Sequence, residues 1–216
     1  MKKTLIMVLA GLAVSASTTV LANSAATELK GDPAKGKSLS ATCAACHGAD
    51  GNSTNPEWPK LAGQHESYLL KQLQNFKAGQ DVEGGRYNAS MAPMVAGLSN
   101  QDMADLAAYY SSQTAKQGEA DQTMVELGRQ IYKGGNNASG VAACAACHGP
   151  NGSGNPASKF PALAGQHAKY TAIQLEAFSK YQRANDAGQM MRNIADKMTD
   201  AEMAAVSEYI SGLQNQ

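Results

Sequence analysis

Apolar residues recur at helical spacing in several stretches of the chain, and loops rich in glycine, proline and asparagine separate these stretches. The spacing predicts short helices in the first half of the chain, each with a counterpart in the second half. The expected helices cover 33–42, 67–78 and a segment beginning at Ser99, then 123–133, 169–180 and a segment beginning at Thr199. An acidic residue three positions after Ser99 and after Thr199 gives each last helix a capping box. No stretch alternates as a strand does, so the pattern predicts an all-α fold.

The two halves also share sequence. The hexapeptide CAACHG begins at Cys43 and again at Cys144, and the pentapeptide LAGQH also occurs twice. A repeat of this length predicts two duplicated domains. The expected boundaries are 23–112 for the first domain, 113–123 for a polar linker and 124–216 for the second domain. Such small, loop-rich units bury little surface alone, so each needs a further stabilising element inside the domain.

The beginning of the chain has a different pattern. Two lysines precede an apolar run from Leu5 to Val14, and small residues follow. This arrangement predicts a secretory signal peptide over 1–22, cleaved after Ala22 or Ala25. An uncleaved membrane anchor is the alternative, but the apolar run is short for a bilayer span. The sequence therefore predicts export, in this case to a bacterial periplasm.

Composition and charge narrow the function further. The chain carries 18 basic and 18 acidic residues, so nothing favours a nucleic-acid partner. Aromatic residues make up only 6% of the chain, which leaves little material for a conventional core. A large apolar cofactor in each domain would supply that core.

The repeated CAACHG contains Cys-x-x-Cys-His, the attachment motif of a c-type haem. Two thiols one helical turn apart can add to the two vinyl groups of a porphyrin, and the adjacent histidine can ligate the iron. The haem-binding residues predicted in this way are Cys43, Cys46 and His47 for one haem and Cys144, Cys147 and His148 for the other. Three alternatives are weaker. A thioredoxin-like site expects a βαβ setting, a zinc site needs a fourth ligand, and two disulfides leave the histidines unexplained.

The second axial ligand decides whether the iron has a free position for a substrate. Methionine opposite histidine closes it and raises its reduction potential. Met91 and Met94 compete in the first half. The offset of 100 residues between the two last helices pairs Met91 with Met191, but pairs Met94 with Ile194. Met91 and Met191 are therefore the predicted ligands. The neighbouring Met190 receives no role, and Met198 is expected to pack.

Other repeated residues are candidates around the haems. His65 and His167 offer bis-histidine ligation as an alternative, but their position just ahead of a helix favours a structural or surface role. Axial histidines usually donate their second ring N–H to a carbonyl. Pro59 and Pro161, which lie 12 and 13 residues after the axial histidines, are expected to stiffen the loop that supplies this carbonyl. The candidates for contact with haem propionates are Tyr68, Tyr170, Gln72 and Gln174.

With these motifs, the chain resembles the dihaem cytochromes c of the c-four family over almost all of the sequence after the signal peptide. The resemblance rests on segments such as "GDPAKGKSLSATCAACHGADGNS", "MAPM" and "MMRNIADKMTDAEMAAVSEYI". It implies two tandem class-I-like cytochrome c domains, each wrapped around a covalent haem with histidine and methionine ligands. In that family the ligating methionine is the earlier one of Met-x-x-Met in the first domain and precedes Arg-x-Ile in the second, which matches Met91 and Met191.

The resemblance also implies a function. Such a protein is a periplasmic carrier, often associated with the membrane, that passes electrons from respiratory donors toward a terminal haem–copper oxidase and acts on no small-molecule substrate. The alternative is a dihaem peroxidase or a cytochrome subunit of a periplasmic oxidising complex. A peroxidase needs an open sixth position on the iron, which a methionine ligand in both domains argues against.

Overall fold

The computed structural model describes residues 29–214, and its two halves repeat one helical plan. The first half contains α1 (Pro33–Leu39), α2 (Ala41–His47), α3 (Glu66–Ala78), α4 (Met91–Val95) and α5 (Asn100–Ser111). The second half contains α6 (Val125–Gly134), α7 (Ala145–His148), α8 (Ala168–Ser179), α9 (Met190–Ala195) and α10 (Asp200–Gly212), with a 3-10 turn (Ala187–Gln189) before α9. Residues 29–214 contain two isolated bridges and no strand, which confirms the all-α prediction. The expected signal peptide lies outside the described residues.

The helix predicted over 33–42 is wrong in its extent, because the chain turns at Ser40 and forms two helices there. The Ser40 hydroxyl and its backbone N–H both donate to the carbonyl of Lys37, which closes α1. At the other end of α1, the Asp32 side chain caps the first turn and Pro33 supplies a helical φ at the first position. The break lets α2 carry the first CAACH segment in its own direction.

Glycine allows the first helix of each half to lie directly on the last. A Cβ atom on Gly36 of α1 would lie 1.9 Å from the carbonyl oxygen of Asp105 in α5. A Cβ atom on Gly128 of α6 would lie 2.1 Å from the carbonyl oxygen of Ala205 in α10. The two backbones are therefore in contact at each crossing, and any side chain at either glycine is excluded.

The last helix of each half supplies much of the core. Both predicted capping boxes are present, with Ser99 and Asp102 at the start of α5 and Thr199 and Glu202 at the start of α10. Met103, Leu106, Ala107 and Tyr110 recur at helical spacing along α5, and all four are buried. Met198 is buried in the second core, as expected for a packing residue.

The two halves meet through reciprocal hydrogen bonds made by the repeated Gly-Gln-His segments. The Gln64 side chain donates to the Ala162 carbonyl (2.8 Å) and accepts from the Ala162 N–H (2.9 Å). Gln166 makes the same two contacts with Lys60, both at 2.9 Å. Since 64 pairs with 166 and 60 with 162 in the repeat, the interface has the self-complementary form of a two-fold axis.

The two following histidines belong to this interface. The Nε2 atom of His65 donates to the Ser153 carbonyl (2.7 Å), and that of His167 donates to the Ser53 carbonyl (2.8 Å). The structural role expected for His65 and His167 is thus the joining of the two halves.

No helix within residues 29–214 is long and apolar enough to cross a membrane.

Candidate haem-binding sites

Each CAACH segment forms a short helix that ends at a glycine with positive φ. Gly48 (φ 80°) follows α2 and Gly149 (φ 78°) follows α7, and this region of φ is open to glycine at little cost. In each segment the first cysteine is half-buried against the core and the second is exposed. Burial raises the pKa of the Cys43 thiol, and raises that of Cys144 to about 11. The four thiols are free of disulfides within the described residues.

The two histidines of these segments are buried and oriented by a carbonyl. The Nδ1 atom of His47 lies 3.0 Å from the Pro59 oxygen, and that of His148 lies 3.1 Å from the Pro161 oxygen. Because a carbonyl only accepts, Nδ1 carries the proton and the Nε2 lone pair is free for a metal. Burial lowers the pKa of both imidazoles, which favours the neutral, ligating form. Pro59 and Pro161 are the residues that the sequence assigned to this support.

The two methionines proposed as ligands occupy the short helices α4 and α9. Met91 is the first residue of α4, and Met191 is the second residue of α9; both are half-buried. Their neighbours Met94 and Met190 are 47% and 40% exposed. In the second half, Met191 packs against the same core cluster as Cys144.

Side-chain caps hold the backbone at both methionines. The side-chain amide oxygen of Asn88 accepts from the backbone N–H of Ser90 and of Met91, both at 3.0 Å. In the second half, Asp186 accepts from the backbone N–H of Arg192 (3.0 Å) and forms a buried ion pair with its Nε (2.7 Å). Different residues therefore fix the corresponding segments in the two halves.

Two arginines between the halves form a cationic centre that the repeat does not reveal. Arg86 donates to Gln72 (2.8 Å) and to Gln174 (2.6 Å), and Arg183 donates to Gln174 (2.8 Å) and to the Tyr68 hydroxyl (3.0 Å). Each guanidinium also lies over a phenylalanine ring, at 4.5 Å from its centroid. Those rings, Phe76 and Phe178, are a repeated pair, whereas neither arginine has an arginine counterpart in the other repeat.

Neutral groups alone satisfy these arginines. Among residues 29–214, neither Arg86 nor Arg183 forms an ion pair with a carboxylate. Burial and the charge of Arg183 together lower the pKa of Arg86. The carboxylate of Asp186 lies near Arg183 but is already ion-paired with Arg192. Two cations in a largely buried position therefore favour a further anion nearby. Haem propionates are such anions, so this centre and the paired thiols, imidazoles and thioethers fit a covalent haem in each half.

The comparisons with known proteins agree with this fit. The family model of cytochrome c matches twice, over residues 33–114 and 125–214. Cytochrome c4 of Azotobacter vinelandii is 50% identical over 188 residues, which cover 85% of this chain and 90% of that protein. The crystal structure of reduced recombinant cytochrome c4 from Pseudomonas stutzeri superposes with a TM-score of 0.82 at 46% identity, covering 85% of this chain and all of that one. A more distant relative is the thiosulfate dehydrogenase electron acceptor of Stutzerimonas stutzeri, 37% identical over 79% of this chain and 78% of that protein.

The helices and the repeated donor sets define a tandem haem protein with two cytochrome c domains. The chain belongs to the cytochrome c family and, within it, to the cytochromes c4. It is accordingly a dihaem electron-transfer cytochrome with two covalently bound c-type haems.

Proposed function

We propose that each CAACH segment holds one of the two haems through both of its thiols. Cys43 and Cys46 bind the first haem, and His47 and Met91 are its axial ligands. Cys144 and Cys147 bind the second haem, and its axial ligands are His148 and Met191. The observation that carries this proposal is the matched pair of buried, carbonyl-anchored histidines, each directly after its cysteine pair.

The haem iron supplies a one-electron couple between Fe(III) and Fe(II), and the chain's own residues keep that iron closed to substrates. The protein is a periplasmic carrier, exported after cleavage at Ala22 or Ala25, and it acts as no enzyme. It associates peripherally with the membrane and passes electrons from respiratory donors to a terminal haem–copper oxidase. Membership of an electron-carrier family and a methionine in the ligating segment of both halves support this role.

Replacing each proposed methionine by histidine tests the ligands. Met91→His and Met191→His should each remove the methionine–iron charge-transfer band from one haem only. Each should also lower the potential of that haem by on the order of 100 mV, because the axial ligand sets the potential. Optical spectra and potentiometric titration measure both effects.

The neighbouring methionines are matched controls. Met94→His and Met190→His change exposed residues of the same two helices and should leave both haems as they are. If Met91→His or Met191→His left both haems unaltered, or if a control variant acted instead, the ligand assignment would be wrong.

A second role is favoured by one of the relatives. Because a thiosulfate dehydrogenase electron acceptor is 37% identical, the chain is also a candidate electron acceptor for a periplasmic oxidising enzyme of that class. Stopped-flow mixing separates the two roles. Rapid oxidation of the reduced protein by a haem–copper oxidase supports the respiratory role, and rapid reduction by thiosulfate dehydrogenase with its substrate supports the second. Turnover of hydrogen peroxide at a high-spin haem would instead indicate a peroxidase.

A further inference from the structure

The first site contains a buried hydroxyl without a partner. Tyr110 in α5 is 3% exposed, and its hydroxyl is the one buried side-chain N or O atom within residues 29–214 that makes no hydrogen bond. The side chains of Cys43 and Ser40 lie beside it. Ser40 donates its own hydroxyl proton to the Lys37 carbonyl, and the Tyr110 hydroxyl forms a hydrogen bond with neither Ser40 nor Cys43. Cys43 packs against the core cluster that contains Tyr110, so its sulfur is the neighbour of this hydroxyl at the haem attachment.

The second site has no such group. Ile210 stands in α10 where Tyr110 stands in α5, and it belongs to the core cluster against which Cys144 packs. Tyr132 also lies near Cys144, but its hydroxyl donates to the Gly149 carbonyl at 2.7 Å. The two first cysteines therefore have different hydroxyl neighbours, because the Tyr110 hydroxyl near Cys43 is unpaired and the Tyr132 hydroxyl near Cys144 is paired.

We propose that Tyr110 sets the two haems apart: its unpaired hydroxyl directs a dipole at the sulfur of Cys43 and makes the first haem easier to reduce. The inference rests on the proposed attachment of the first haem through Cys43, whose sulfur is then a thioether beside the ring. An O–H whose hydrogen faces this sulfur places positive charge near the haem. Positive charge disfavours the oxidised iron, which carries one more charge than the reduced iron, and in a buried setting the effect is weakly screened. Tyr110 lies beside the sulfur that attaches the haem and not beside the iron. It therefore acts on the reduction potential only through the charge distribution around the haem.

Replacing the hydroxyl alone tests the proposal. In Tyr110→Phe the ratio of reduced to oxidised first haem at a fixed ambient potential should fall about threefold, because the variant loses a weakly screened dipole beside the haem. At 59 mV per tenfold for one electron, this is a lowering of about 28 mV. Spectropotentiometric titration of the full dihaem protein gives both haem potentials, and mass spectrometry confirms that both haems are attached.

Tyr109→Phe is the matched control. It removes the neighbouring hydroxyl of α5, which already donates to the Ala49 carbonyl at 2.8 Å. It should shift neither haem potential by as much as about 28 mV. A lowering of one wave by Tyr110→Phe, with the other unchanged, supports the proposal. No shift, an equal shift of both waves or a rise would overturn it.

A further variant keeps this result separate from the ligand assignment. Met91→His identifies the wave of the first haem by displacing it, and the wave that Tyr110→Phe lowers should be the same one. If the wave lowered by Tyr110→Phe were the other one, the proposal would fail while the ligand assignment stood. If Met91→His displaced neither wave, the ligand assignment would fail, and a selective effect of Tyr110→Phe would still show that Tyr110 distinguishes the haems.

Discussion

Two adjacent tyrosines of α5 differ in whether their hydroxyl groups are paired. The Tyr109 hydroxyl donates to the Ala49 carbonyl, in the turn after the first CAACH segment, whereas the Tyr110 hydroxyl makes no hydrogen bond. A paired hydroxyl contributes to the free energy of unfolding, and a buried unpaired one contributes nothing or opposes folding. The two residues are similarly buried, so their substitution by phenylalanine compares a paired with an unpaired hydroxyl at nearly constant shape.

We expect Tyr109→Phe to lower the free energy of unfolding by about 1 kcal/mol, since it also leaves the Ala49 carbonyl without its donor. Tyr110→Phe should change it by no more than a few tenths of a kcal/mol, and a small increase is the expected sign. Urea unfolding of the haem-loaded protein, followed by the haem absorbance, measures both. A loss in Tyr110→Phe as large as that in Tyr109→Phe would show that its hydroxyl has a partner.

Residues with a repeated counterpart could be identified from the sequence, and residues without one could not. The spacing from His47 to Pro59 and from His148 to Pro161 led to the carbonyl contacts that the structure contains. Arg86 could not be identified from the repeat. The arginine that lies over the corresponding phenylalanine of the second half is Arg183, which is not at the equivalent position in the sequence. Such convergence of two loops depends on their three-dimensional paths, which an alignment of the two repeats does not record.

At the scale of the helix, length decided what could be predicted. The periodicity placed α3, α5, α8 and α10 to within a residue or two. The helices α4 and α9, of 5 and 6 residues, are too short to show a period. Side-chain oxygens of Asn88 and Asp186 accept hydrogen bonds from backbone N–H groups in the first turns of these helices. These contacts depend on the folded paths of the preceding loops.

Glu202 does more in α10 than Asp102 does in α5, although both complete a capping box. One Glu202 oxygen accepts from the Thr199 backbone N–H (2.8 Å), and the other accepts from the Asn136 side chain (2.7 Å), which ties the loop after α6 to α10. These hydrogen bonds lower the pKa of Glu202 below its ordinary value of 4.5. A lowered folded-state pKa means that the ionised carboxylate stabilises the protein above about pH 4.5 and that this stability is lost as the pH falls through the folded-state value.

Glu202→Gln should therefore lower the free energy of unfolding by about 1 kcal/mol at neutral pH, since a neutral acceptor replaces a charged one. The difference from the unsubstituted protein should shrink as the pH is lowered below 4.5. Thermal unfolding across this pH range measures it. Asp102→Asn is the control in the first half, and its effect should be smaller because the hydrogen bonds of Asp102 are exposed to solvent and hold no second loop. A Glu202→Gln difference that persisted unchanged in acid would contradict this account.

The two halves of the molecule are joined by residues of a repeated sequence motif. LAGQH occurs in both halves, and a repeated motif is ordinarily interpreted as a feature inside each domain. In the structure its glutamine and histidine bind the backbone of the other half. Two identical segments placed about a two-fold axis can satisfy one another, so the duplication itself produced a self-complementary surface. The sequence predicted two domains, but it could not show which residues join them.

The crossed pattern of these hydrogen bonds leads to a prediction about the joined molecule. The Ala162 N–H is held by Gln64 and the Lys60 N–H by Gln166, so each glutamine protects an amide in the opposite half. Gln64→Ala should accelerate hydrogen exchange at Ala162 by about tenfold and leave Lys60 protected, and Gln166→Ala should do the reverse. Exchange followed by NMR on the haem-loaded protein resolves the two amides.

Gln113→Ala is a suitable control, since the Gln113 side chain donates to the Tyr109 carbonyl within the first half and should affect neither amide across the interface. Loss of protection confined to the half that carries the substitution would mean that the halves do not hold one another through these side chains. Loss at both amides in each single variant would mean that the interface opens as one unit, because removal of either glutamine would then release the other. The crossed, one-for-one result is specific to two halves that remain docked while a single pair of hydrogen bonds is removed.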